Sequence, residues 1–162
     1  MFEVKHEDPI LRTFILFTQT ADAVLKYADA GLFRKAGLSV IKLIVLQLLA
    51  ANGGTAEPSK IAEWALRERH DITTLVERMK RDGLVKAERS ERDRRFVNIM
   101  LTDKGKALLG KAMPVAREIV NQVMSSISEE DVVLLEKSLA VLRQNACNGL
   151  GQIPKRSQHK SD

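Results

Sequence analysis

Two stretches of this 162-residue chain carry side chains suited to holding an anionic polymer. The first is Arg69, His70, Thr73 and Thr74, a cation and an imidazole followed at helical spacing by two hydroxyls. On the first turn and a half of a helix, opposite its apolar face, such groups can hydrogen-bond the edges of nucleobases. The second is Arg89-Ser90-Glu91-Arg92-Asp93-Arg94-Arg95, a charged run bounded on both sides by alternating apolar residues. Guanidinium groups are drawn to the negative potential of a narrow DNA minor groove. Arg67, Arg78, Lys80 and Arg89 flank these stretches as candidates for phosphate contact or simple solvation. Placement carries this reading, because net charge does not: from Lys60 to Arg95, eleven Lys or Arg stand against eight Asp or Glu.

The elements that must position these groups follow from apolar periodicity. Leu11, Phe14, Ile15, Thr18, Ala21, Leu25 and Ala28 recur every three or four residues, which predicts a helix over 9–30 that opens at Pro9 and ends at Gly31. Ser39 is the expected N-cap of a helix through Ala51 that is apolar on nearly every side and therefore central. Asn52-Gly53-Gly54 breaks it, Thr55-Ala56 leaves room for a very short strand, and Pro58 opens a short helix ending near Ala65. A helix is expected from about Arg69 to Arg81, with Ile72, Leu75, Val76 and Met79 on its apolar face and Gly83 as its left-handed terminator. From Leu84 the period falls to two, so 84–88 and 96–101 read as a β-hairpin with a basic tip. Thr102 caps a helix to about Met124 in which Pro114 should introduce a kink, and Ser128 with Asp131 starts a last helix carrying Val132, Leu135, Leu139 and Leu142. From Asn148 the tail is expected to be disordered.

The resulting fold class is mainly α with one small β-hairpin. The order helix, short strand, helix, helix, hairpin reads as a winged helix-turn-helix lobe over 38–102. Gly83-Leu84-Val85, then the Arg89 to Arg95 run with its Asp93-Arg94-Arg95, then Leu101-Thr102-Asp103-Lys104-Gly105 together resemble the MarR family of transcriptional regulators. The resemblance extends over about residues 10 to 145. It implies that the helices within 1–37 and 103–147 intertwine with those of a second copy, giving a homodimer that holds two DNA-binding lobes apart. It further implies a regulator of transcription, a repressor by expectation, bound to a pseudo-palindromic operator and responsive to a small molecule. In the wing, it gives Asp93 the role of orienting the tip by pairing with Arg, and Arg95 that of reaching into the minor groove. The sequence departs from the family pattern at Leu66, where the turn between the two helices usually has Gly, and at Glu68, where the second helix usually has a Ser or Thr cap. Trp64 stands where a polar residue is common.

Other classes find little support. No Gly-rich phosphate loop or nucleophile motif is present, so catalysis is not expected, and no cofactor is implied. The three histidines, His6, His70 and His159, are far apart, which argues against a metal site. Cys147, the single cysteine, has only Arg143 near it in sequence and reads as an inert thiol rather than a redox sensor. The chain start resembles no secretory signal and no stretch suffices to span a bilayer, so a cytoplasmic protein without membrane contact is expected. The alternative function is a winged-helix module for protein–protein contact, which the arginines of the wing disfavour relative to DNA.

Overall fold

The computed structural model describes residues 7–89 and 97–152. They fall into two compact units, divided between Val123 and Met124.

In the first unit, α1 (Pro9–Ala36) opens under Asp8, whose Oδ1 accepts the amides of Ile10 at 2.8 Å and Leu11 at 3.4 Å. It ends at Gly37, with φ 65°, where the amide donates to the Phe33 carbonyl. The helix therefore runs past Gly31, the expected terminator. One glycine costs a helix only about 1 kcal/mol, and Gly31 serves packing instead. It is buried, and a Cβ built on it would stand 2.8 Å from Ile119 Cδ1 of α5 (Asp103–Met124), so its bare backbone lets the two helices approach. α5 continues through Pro114 as a single helix.

α2 (Val40–Ala51) is the central helix, with Leu43, Val45, Leu46, Leu48 and Leu49 all buried. Its first amide, Val40, donates to Asp29 Oδ1 at 2.8 Å, which ties it to α1. Strands β1 (Thr55–Ala56), β2 (Val85–Arg89) and β3 (Val97–Leu101) form an antiparallel sheet in the order β1-β3-β2. Thr55 lies opposite Met100, and Val85 through Arg89 run opposite Leu101 through Val97. Helices α3 (Pro58–Trp64) and α4 (Arg69–Arg81) lie between β1 and β2 in the chain. Ile61 of α3 and Ile72, Val76 and Met79 of α4 join α2, Leu84, Val85, Ile99 and Leu101 in one core. Among the described residues, no polar or charged side chain is buried.

The N-terminal half of α1 leaves much apolar surface open, with Ile10, Phe14 and Leu16 all more than half exposed.

The second unit contains α6 (Glu129–Gln152), which begins where Ser128 Oγ accepts the Asp131 amide at 3.1 Å and donates to Asp131 Oδ2 at 2.7 Å. The helix carries residues 148–152, which corrects the expectation of disorder from Asn148. Helical residues tolerate glycine at modest cost, and Gly149 and Gly151 add two such positions without ending the element. Residues 153–162 lie outside the described set. Among the described side chains of α6 none is buried, and Val133, Leu134, Leu139, Val141 and Leu142 are exposed.

Candidate nucleic-acid interface

The site is built on α3, α4 and the start of the hairpin, and the sequence explains how α4 is held at both ends. At its C-terminus, the Gly83 amide donates to the Lys80 carbonyl and the Leu84 amide to that of Met79, both at 2.9 Å, with Gly83 at φ 73°. This pair of bonds closes the last turn as a Schellman cap. Lys104 Nζ donates to the Asp82 carbonyl at 2.7 Å, and Lys42 Nζ of α2 pairs with Asp82 Oδ2 at 2.6 Å. The hydrogen bond from Lys42 holds the Asp82 carboxyl below its ordinary range. Two ammonium groups from different helices thus converge where the carbonyl dipoles of α4 are negative.

Thr102 then fixes the hairpin to α5. Its hydroxyl lies 2.8 Å from the Gly83 carbonyl and 3.0 Å from that of Leu84, to which it donates, and it accepts the Gly105 amide at 3.0 Å. Gly105 must lack a side chain, because a Cβ there would stand 2.8 Å from Leu101 Cδ1 and far inside contact distance of the Leu84 carbonyl oxygen. The motif Leu101-Thr102-Asp103-Lys104-Gly105 is therefore a joint, with each of its matched residues serving the same corner.

The N-terminus of α4 is held less tightly. Leu66 adopts φ 50°, the left-handed conformation that a glycine takes without strain. Glu68 is the N-cap residue, yet its carboxylate makes no capping bond to the amides of α4. Trp64 and Leu66 are exposed. Leu66→Gly is expected to leave stability within about 1 kcal/mol of the parent, since release of backbone strain offsets the added chain entropy. Leu66→Val, β-branched at positive φ, should cost about 1 kcal/mol or more. Urea denaturation of the two variants checks this, and a large loss for glycine would contradict the strain.

The structure brings Arg69, His70, Thr73 and Thr74 together, all exposed on the first turn and a half of α4, while Ile72, Val76 and Met79 are buried behind them. The Thr73 hydroxyl donates back to the Arg69 carbonyl at 2.9 Å, so toward a ligand it offers an acceptor and a methyl group. Arg67, Arg78 and Arg89 are exposed as expected. Lys80 is not free: it is half-buried and paired with Glu77, at 2.9 and 3.2 Å. Arg81, left out of the sequence reading, is exposed on the same side as His70 and Thr74. A helical projection anchored on Ile72, Val76 and Met79 contains the signal for it. The wing candidates Arg92, Asp93, Arg94 and Arg95 lie outside the described residues, although β2 and β3 pair up to Arg89 and Val97 on either side. Among the described residues no cluster of three His, Cys, Asp or Glu could hold a metal ion, and no helix is long and apolar enough to cross a membrane.

Comparison with known proteins gives the same arrangement a family. Residues 36–95, which contain α2, β1, α3, α4 and β2, match the model of the MarR family. The HTH-type transcriptional repressor IacR of Pseudomonas putida is 32% identical over 129 residues, covering 80% of this chain and 72% of that protein. Among solved structures, the ligand-free organohalide-sensing regulator RdhR-CbdbA1625 superposes with a TM-score of 0.81 at 23% identity, covering 100% of this chain and 98% of the other. Sco3205 of Streptomyces coelicolor, a MarR family regulator solved in complex with DNA, gives a TM-score of 0.77 at 22% identity and covers 99% and 97%. With the helix-turn-helix, the paired hairpin strands and the Thr102–Gly105 joint in place, and with this degree of identity to a repressor, the chain belongs to the MarR family of DNA-binding transcriptional regulators.

Proposed function

We propose that the protein acts as a homodimer that reads an operator of two inverted half-sites through α4 and the wing, and represses transcription in the cytoplasm. The observation that carries this reading is α4 itself, whose apolar residues Ile72, Val76 and Met79 are buried in the core while Arg69, His70, Thr73 and Thr74 are exposed. A recognition helix needs that division, because its first residues must enter the major groove unencumbered. The dimer is supported by the exposed apolar residues of α1 and α6, Phe14, Leu16, Leu134 and Val141 among them, which are costly to leave in water. Accordingly 1–37 and 103–147 supply dimerisation helices and 38–102 the DNA-binding lobe. A small-molecule effector fits the same reading, since a regulator of this fold has been solved with 2,4-dichlorophenol bound. The repressing sign is supported by the IacR relative. The proposed activity is binding, with no catalytic step.

The test is a salt titration of duplex binding together with light scattering. A dimer at micromolar concentration and a steep loss of affinity with salt are expected, the latter from counterion release. Arg69→Ala, Thr73→Ala and Thr74→Ala should relax preference at particular base pairs, at about 1–3 kcal/mol for each good base contact. A monomer, or unchanged discrimination in all three variants, would overturn the reading.

A further inference from the structure

We propose that Arg81, at the far end of α4, is a DNA-backbone contact, and that it rather than its neighbour Lys80 supplies the cation there; the inference rests on the DNA-binding reading of α4. Successive residues on a helix are about 100° apart, so the buried Ile72, Val76 and Met79 define one meridian of α4 and His70, Thr74, Glu77 and Arg81 the opposite one. These four residues are exposed. Lys80 falls to the side of this stripe, is half-buried, and gives its ammonium to Glu77 through two hydrogen bonds. It also screens the carboxylate that would otherwise repel DNA from the middle of the stripe.

Arg81 has no such tie. The acidic residue beside it, Asp82, has its carboxylate engaged by Lys42 of α2 and its carbonyl by Lys104 of α5. Arg81 acts on that carboxylate only through space, since the hydrogen bond and the ion pair belong to Lys42. Among the described residues, Arg81 makes neither a hydrogen bond nor an ion pair. Its position along the axis then decides what it can touch. His70 and Arg81 are eleven residues apart, about 16 Å at the helical rise, whereas the major groove is about 12 Å wide. Where a recognition helix presents its N-terminal residues to the base edges, a residue about 16 Å further along the axis stands back from those edges toward the phosphates of the rim. A guanidinium there forks onto phosphate oxygens and carries no base information.

The experiment measures binding of the full chain to a fluorescein-labelled operator duplex and to a random-sequence duplex over a range of salt, for wild type, Arg81→Ala, Arg81→Lys and Lys80→Ala. Circular dichroism confirms that each variant is folded. Arg81→Ala is expected to weaken both duplexes by the same factor and to reduce the slope of log affinity against log salt by about 0.9 for each subunit engaged. Arg81→Lys should restore most of the slope, and Lys80→Ala should leave it near that of wild type. An unchanged slope for Arg81→Ala, a loss confined to the operator, or a larger slope change for Lys80→Ala would each overturn the assignment. Wild type that binds neither duplex would instead overturn the DNA-binding reading of α4, and this inference with it.

Discussion

Gly105→Ala is expected to cost the protein about 3 kcal/mol, a large share of the stability of a typical small domain. The added methyl group meets the carbonyl oxygen of Leu84, which is backbone and has no rotamer to yield, and Leu101 Cδ1 at 2.8 Å. Relief requires the first turn of α5 to move away from the hairpin. That movement strains or breaks the bonds that Thr102 makes to Gly83, Leu84 and Gly105. Gly110 of the same helix has nothing within 4 Å of where its Cβ would be. Gly110→Ala should therefore go the other way, stabilising by up to about 1 kcal/mol through helix propensity. Urea denaturation of the pair isolates the contact from the general effect of replacing a helical glycine. Equal, small effects would show that the close approach does not constrain the fold.

The largest expected effect on DNA binding belongs to the wing. Arg95→Ala should weaken operator binding by at least about 30-fold, since about 1–3 kcal/mol lost in each of two subunits sums to about 2–6 kcal/mol. Asp93→Ala supplies the sharper test, because two accounts of that residue predict opposite signs. Removing a carboxylate near phosphates should tighten binding if Asp93 acts only through its charge. If it orients an arginine, as the family resemblance implies, binding should weaken although the net charge has become more favourable. Fluorescence anisotropy at two salt concentrations separates these outcomes, and tighter binding by Asp93→Ala would remove the orienting role proposed for it.

Much of this molecule is legible from its residues, and the exceptions have physical causes. α4 runs from Arg69 to Arg81 as periodicity predicts, because its apolar face and the Gly83 cap agree on one answer. Thr102 as a cap and Ser128 with Asp131 were readable for the same reason: a side-chain oxygen satisfies an amide three residues on, a local matter. Gly31 misleads because a glycine inside a helix and a glycine after one look alike in a sequence. Only the position of Ile119, 88 residues later, distinguishes them. Lys80 and Arg81 are neighbours of like charge, and periodicity says nothing about which ammonium or guanidinium has a carboxylate to itself. The Glu77 pair settles Lys80, while the Lys42 and Lys104 contacts with Asp82 come from segments far away in the chain. At the other end of α4, the departures at Leu66 and Glu68 were visible, and the structure shows their forms: a strained φ and a missing capping bond.

Among the described residues the interior is wholly apolar, which bears on how this protein responds to acid. Proton linkage makes a fold sensitive to pH when an ionisable group holds its proton differently in the folded and the unfolded chain. Here the described interior holds no such group, and Asp82, held below its ordinary range by Lys42, is at the surface. Asp82 contributes stability that is present above the ordinary carboxylate range and lost as pH falls through its lowered value, well outside neutrality. The melting temperature should therefore fall as acid protonates Asp82, and Asp82→Asn should flatten that part of the profile. The Lys42 and Lys104 contacts at Asp82 thus make the end of α4 the place where acid first loosens the described fold.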